Sequence, residues 1–214
     1  MPANAIKICG INSPQALDAA MGAGATHIGL VFFEKSPRNV EIEQARALAA
    51  QACGSVKVVG LFVDPASAFI EAVREQVYLD VIQLHGNETP EFVSRNRMRH
   101  GIEVWKALGV KTKADLASAK DYAGAASRML YDAKPPAGSE LPGGTGLQID
   151  WSIFADADHA LPWVLAGGLD PANVAEAMRV TGANSVDVSS GVESAPGIKD
   201  AVKIAAFCAA ARLA

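Results

Sequence analysis

The sequence predicts an α/β fold, a single (β/α)8 barrel of the TIM-barrel class over residues 1–214. Three observations predict it. Eight short β-rich segments recur along the chain; several are apolar nearly throughout, as strands buried on both faces of a parallel sheet are. Helix-like segments stand between them, most of them opened by Ser, Thr, Asp or Pro, which are helix-entry signals. Linkers, low-complexity segments and a second domain are not apparent, and the length suits one compact barrel.

The elements follow in order. Strand 6–9, Ile-Lys-Ile-Cys, stops at the turn glycine Gly10. Ser13 is placed to N-cap a helix over 14–22, with Pro14 in its first turn. Strand 27–32 precedes a helix over 42–51, with Glu41 and Glu43 near its positive end. Strand 57–63 leads through Asp64 to a helix over 65–76, and strand 81–84 through Thr89 to one over 90–98. Strand 103–107 leads through Thr112 to a helix over 113–122. Strand 129–132 is followed by the longest structureless stretch, 134–146, rich in Pro and Gly. A loop of that length in a compact domain reads as a functional lid, with a plain surface excursion as the alternative. A helix at 150–155, strand 163–166, helix 171–181, strand 185–188 and helix 197–213 complete the set. The competing fold, an open doubly wound sheet, would usually show a Gly-rich first turn. Cys9-Gly10-Ile11-Asn12 is no dinucleotide fingerprint.

A net charge of -4 carries no basic footprint for nucleic acid. No apolar run is long enough to span a membrane. Met1-Pro2-Ala3-Asn4 lacks the features of a signal peptide. Three widely spaced cysteines make neither a disulfide framework nor a zinc pattern, so a reducing cytoplasm is the expected compartment. The expected partner is a small phosphorylated molecule; monomer and homodimer both stay open.

In such a barrel the strand C-termini share one rim, and a phosphate site is expected after the last two strands. Gly167 and Gly168 follow the seventh strand and Ser190 and Gly191 the eighth, while Gly144 belongs to a third glycine cluster, Gly143-Gly144-Thr145-Gly146. Glycines let backbone N–H groups approach an anion closely. Cys9 closes the first strand and Asp132 the sixth, a candidate base and acid facing one pocket. Cys53 and Cys208 read as packing residues. Lys7 shares the inward face with Cys9, and its ammonium is expected to lower a thiol pKa that starts near 8.5. Arg38 would orient a substrate carboxylate or stabilise developing charge. Asp187 would accept from sugar hydroxyls or pair with Lys7 across the barrel. Gln83 and His85 end the fourth strand, His85 as pocket lining.

Jointly these motifs resemble the phosphoribosylanthranilate isomerase family of tryptophan biosynthesis. The segments are Lys7-Ile8-Cys9-Gly10, Ser36-Pro37-Arg38-Asn39-Val40, Val59-Gly60-Leu61-Phe62, Gln83-Leu84-His85-Gly86, Asp132-Ala133-Lys134, Gly143-Gly144-Thr145-Gly146 with Asp150-Trp151, Ala166-Gly167-Gly168-Leu169 and Asp187-Val188-Ser189-Ser190-Gly191-Val192-Glu193. Ile149 stands where the family commonly has Phe, and Tyr131 where Leu or Phe is usual. The resemblance implies an Amadori rearrangement of N-(5-phosphoribosyl)anthranilate to 1-(2-carboxyphenylamino)-1-deoxyribulose 5-phosphate, with no metal or organic cofactor. It implies Asp132 as general acid on the ring oxygen and Cys9 as general base at sugar C2. Arg38 would face the anthranilate, and the backbone around Gly167, Gly168, Ser190 and Gly191 the phosphate. The alternatives are another phosphosugar isomerase or epimerase barrel, or a catalytically silent phosphate-binding barrel. The related histidine-pathway isomerase carries Asp at the position of Cys9.

Overall fold

The computed structural model describes residues 5–136, 138–139, 141–144 and 146–214. The N-terminal tetrapeptide and Thr145 of the third glycine cluster, read above from sequence, lie outside the described residues. Eight parallel strands close into a barrel in chain order: β1 Ala5–Cys9, β2 His27–Phe32, β3 Lys57–Phe62, β4 Val81–Leu84, β5 Glu103–Val110, β6 Arg128–Ala133, β7 Trp163–Leu165 and β8 Ser185–Val188. β8 returns to pair with β1, with Lys7 opposite Asp187 in the register. The helices are α1 Pro14–Gly22, α2 Ile42–Ala52, α3 Ser67–Gln76, α4 Pro90–His100, α5 Lys113–Ala117, α6 Val174–Thr181 and α7 Ala201–Leu213.

Strand alternation divides the core in two. Outward residues such as Ile6, Ile8, Ile28, Leu30 and Phe62 join helix residues such as Leu17, Leu48 and Phe207 in one large apolar layer. Inward residues Val59, Val81, Trp105, Leu130 and Val164 fill the barrel itself. Above them Cys9, Val31 and Leu61 form a small cluster at the mouth. The interior is therefore filled by side chains below a pocket at the strand C-termini, where barrel sites lie.

Local chemistry explains where the expected elements shift. α3 starts at Ser67 rather than 65, because Asp64 takes a left-handed φ of 45° and its carboxylate accepts from Asn87 N at 2.6 Å. The segment 113–122 is α5 passing into a 3-10 turn, Ser118–Tyr122, and 150–155 holds only the 3-10 turn Trp151–Phe154. α6 starts at Val174 because Asp170 holds 171–173 as a turn, accepting from Ala172 N and Asn173 N. The largest correction lies at 197–213. Glu193–Ala195 (β9) and Ile198–Lys199 (β10) form an antiparallel hairpin around Pro196-Gly197, and α7 begins only after Asp200 caps it by accepting from Val202 N and Lys203 N. Among the described residues no helix is long and apolar enough to cross a membrane.

Candidate active site

The strand ends enclose a pocket of about 680 Å³, part of it open to solvent. Cys9, Arg38, His85, Asp132, Asp187, Gly144, Gly167, Gly168 and Ser190 all line it. Val31, Phe33, Leu61 and Val63 give one wall an apolar face. Three of the sequence-expected residues are placed elsewhere. Lys7 and Gln83 are wholly buried inside the barrel, below the pocket lining. Gly191 packs its backbone against Leu169 O.

Cys9 comes to the rim because β1 is inward at Ala5, Lys7 and Cys9. Gly29 on β2 makes room for it: a Cβ there would sit 2.8 Å from Cys9 Sγ and 3.2 Å from Lys7 Nζ. Lys7 Nζ donates to Asp187 Oδ1 at 2.8 Å. That partner is the neighbouring strand, not one across the barrel as the sequence suggested. Burial draws the Lys7 ammonium down, yet Asp187 and Cys9 more than offset it and its pKa is raised. For Cys9, burial pushes the thiol up, and the opposing pull of Lys7 and Lys199 does not overcome it. The expectation that Lys7 lowers the thiol is therefore corrected in sign. Lys7 favours the thiolate, but burial and the Asp187 charge win.

Asp132 sits one register beyond the inward Leu130 on β6. Its Oδ1 accepts from Ala133 N at 2.8 Å. Its Oδ2 lies 3.4 Å from His85 Nε2, too long and too poorly aligned to count as a hydrogen bond. Gln83 Nε2 lies 3.4 Å from His85 Nδ1. Gly143 roofs this pair: a Cβ on it would fall on Asp132 Oδ2 and come within 2.9 Å of His85 Nε2. Gly143→Ala must therefore lift the 141–144 segment or displace the carboxyl. Displacement of a reacting group by about 1 Å costs roughly 10²-fold in rate. The expected result is a kcat lower by about 10²-fold with an almost unchanged melting temperature, read by steady-state kinetics and calorimetry. A kcat within twofold of the parent would show that the roof does not bear on Asp132.

Arg38 follows the Ser36-Pro37 turn after β2, and Gly10, at φ 80°, leaves space for it: a Cβ would stand 2.6 Å from Arg38 Cδ. Glu193 grips the guanidinium with both oxygens, Oε1 on Nε at 2.7 Å and Oε2 on Nη2 at 2.8 Å. Gly144 O accepts from Nη2 at 3.2 Å. Glu193 and its second partner Lys199 escaped the sequence reading. The one signal was the presence of Glu193 at the end of the Asp187–Glu193 motif, and hydropathy alone reads both charges as solvent-facing. At the far wall, Gly167 and Gly168 both take left-handed backbone, φ 78° and 66°, and Asn173 Nδ2 ties down Gly168 O at 2.9 Å. A Cβ on Gly168 would meet Gln148 Cα at 2.6 Å, so glycine is required there on two counts. The two family departures are outside the pocket: Tyr131 faces Phe154 and Trp163, and Ile149 is buried beside Gly167.

Among the described residues no group of three His, Cys, Asp or Glu side chains could hold a metal ion. What the arrangement offers is a thiol, a carboxyl, a fixed guanidinium and glycine backbone lining one pocket. Residues 6–210 match the family described as N-(5'phosphoribosyl)anthranilate (PRA) isomerase. An N-(5'-phosphoribosyl)anthranilate isomerase of Paramagnetospirillum magneticum is 55% identical over 207 residues, covering 97% of this chain and 96% of its own. A crystal structure of phosphoribosyl anthranilate isomerase from Thermotoga maritima superposes with a TM-score of 0.86 at 35% identity, covering 97% and 98% of the two chains. Another such isomerase, in complex with reduced 1-(o-carboxyphenylamino)-1-deoxyribulose 5-phosphate, superposes with a TM-score of 0.83 at 33% identity, again over 97% and 98%.

Proposed function

Since this chain belongs to the N-(5'-phosphoribosyl)anthranilate isomerase family, an enzyme family of tryptophan biosynthesis, we propose that Cys9 and Asp132 carry out its Amadori rearrangement. The observation that carries this reading is that the Cys9 thiol and the Asp132 carboxyl, 123 residues apart by subtraction of their numbers, line one pocket. The protonated Asp132 carboxyl gives its proton to the furanose ring oxygen. The C1–O bond breaks as the anthranilate nitrogen lone pair forms the C1=N iminium. Cys9 thiolate takes the proton from C2, and that electron pair becomes the C1=C2 bond of an enolamine. Return of a proton to C1 and loss of one from the C2 hydroxyl leave the ketone. The substrate's own nitrogen is the electron sink, so the protein supplies proton transfer and placement. The solved relative bound to a reduced aryl-amino deoxyribulose phosphate supports this substrate class. Arg38 meets the anthranilate carboxylate, and the Gly167–Gly168 and Ser190 backbone the phosphate. A single domain, working in the reducing cytoplasm with its cysteines free, accords with this role.

The test is direct. Substrate formed in place from anthranilate and phosphoribosyl pyrophosphate is consumed by the enzyme, with loss of its fluorescence. Absence of turnover would remove the reading and favour a silent phosphate-binding barrel.

The pH profile follows from the proton inventory. The working pair holds one proton, on the carboxyl, and the same count with the proton on sulfur has equal charge. pH does not choose between those two forms, so activity falls on the alkaline side only when the last proton leaves the pair. Burial raises Cys9, so that fall is expected above the ordinary thiol value of about 8.5. A kcat/KM profile that already declines below pH 8 would detach Cys9 from the alkaline limb.

A further inference from the structure

The Arg38 guanidinium is held from behind. Glu193 occupies its Nε and Nη2 edge at 2.7 and 2.8 Å. Among the described residues no acceptor meets Nη1, which lies 2.9 Å from where a Cβ on Gly144 would stand, at the pocket lining. Glu193 in turn is fixed three ways. Lys199 Nζ donates to its Oε1 at 2.8 Å, Gly197 N to its Oε2 at 3.3 Å, and Lys203 Nζ to its backbone oxygen at 2.7 Å. The side chains of Glu193 and Lys199 are 4% and 0% exposed. Lys199 Nζ also donates to Ser189 O at 3.0 Å, and Ser189 Oγ donates to Cys9 O at 3.2 Å. The β9–β10 hairpin thus links the arginine to the end of β1 through one anion and one cation.

The charges decide what this device does. An Arg38–Glu193 pair alone would be neutral, and a neutral pair has little pull on an anionic substrate. With Lys199 buried against the same carboxylate, and the third cation, Lys203, exposed to solvent, two buried cations share one buried anion, and one positive charge is left over beside the pocket. We propose that Glu193 and Lys199 are positioning residues for substrate binding: Glu193 aims the Nη1 edge of Arg38 into the pocket, and Lys199 restores the net charge that the grip would otherwise cancel. This inference rests on the reading that Arg38 meets the anthranilate carboxylate, and goes beyond it by assigning the hairpin its task.

Steady-state kinetics on five variants separate the two. Loss of a charged hydrogen-bond partner is typically a tenfold or greater effect on binding. Arg38→Met is expected to raise KM by about 10–100-fold on that basis. Glu193→Gln is expected to raise KM by roughly tenfold with kcat within about threefold, a uniform-binding loss. Glu193→Asp keeps the charge but draws the carboxylate back from the guanidinium by one methylene, so its KM is also expected to rise; it serves if the amide variant does not fold. Lys199→Met is expected to raise KM and Lys199→Arg to restore it. Raised KM in Arg38→Met with parental KM in both Glu193 variants and Lys199→Met would overturn the hairpin's role and leave the Arg38 reading standing. Parental KM in Arg38→Met would overturn the reading beneath it.

Discussion

Replacing Cys9 by Ser, or Asp132 by Asn, is expected to lower kcat by roughly 10²–10⁴-fold while KM moves by less than about threefold, the mark of groups that act only in the transition state. Both substitutions are nearly isosteric at buried positions, so the pocket keeps its shape. A serine hydroxyl is too weak an acid to supply a usable alkoxide in the place of a thiolate. An asparagine keeps the acceptor for Ala133 N but has no proton to give the ring oxygen. The measurement is fluorescence decay of the substrate under saturating conditions. The double variant is expected to lose little more than the worse single one, because ring opening and C2 deprotonation belong to one sequence. More than a tenth of parental kcat in either single variant would reject the assignment of that residue. The function would survive such a result, and the search for the proton carrier would pass to His85, which lies 3.4 Å from Asp132.

This expectation could be written from sequence because the residues that bear it sit at strand ends. A strand of four to six apolar residues between turn signals is a strong local pattern, and all eight strands fall within a few residues of where hydropathy puts them. A rim position then follows from topology alone. What was not legible is what depends on contacts between distant charges. The sequence reads Lys7 as an activator of Cys9, but its ion-pair partner Asp187 comes from the last strand, and for the thiol desolvation outweighs the ammonium. Glu193 and Lys199 have no role in the sequence reading, because nothing in a linear pattern tells that a hairpin folds their charges inward. The second strand of that hairpin, Ile198–Lys199, falls inside the stretch 197–213 that the sequence predicts as helix, and Gly197 serves as its turn and not as a helix start. Lys106 and Glu88 were passed over for the same reason, although both prove to be buried.

Those last two carry the largest effect expected on stability. Lys106 points outward from β5 into the space under the loop that follows β4. Its Nζ donates to Gly86 O at 2.7 Å, Ala107 O at 2.8 Å and Glu88 Oε2 at 3.0 Å. Glu88 in return accepts from Gly86 N and, through Oε1, from Asp64 N at 3.0 Å. The two side chains are 1% and 2% exposed. Burial holds the Lys106 ammonium below its ordinary value even against Glu88, so desolvation is costly here and the pair itself is a poor source of stability. Breaking it is another matter. Lys106→Met strands a buried carboxylate and two carbonyls, and loss of one partner of a buried pair costs about 3–5 kcal/mol. For a chain of this size each kcal/mol moves the melting temperature by about 2–4 °C, so a fall on the order of 10 °C is expected by calorimetry. The companion Lys106→Met/Glu88→Leu variant removes both charges and is expected to recover much of that loss. Its activity is a separate readout. The peptide of Gly86 is clasped on both sides, N–H to Glu88 and C=O to Lys106, and Gly86 follows His85, which faces Asp132. A double variant that regains stability without regaining kcat would make the pair a device for aiming the rim. One that regains both would reduce it to a fastening of the loop. A single Lys106→Met variant that melts with the parent would show that the buried carboxylate finds another partner, and would end this account of the loop.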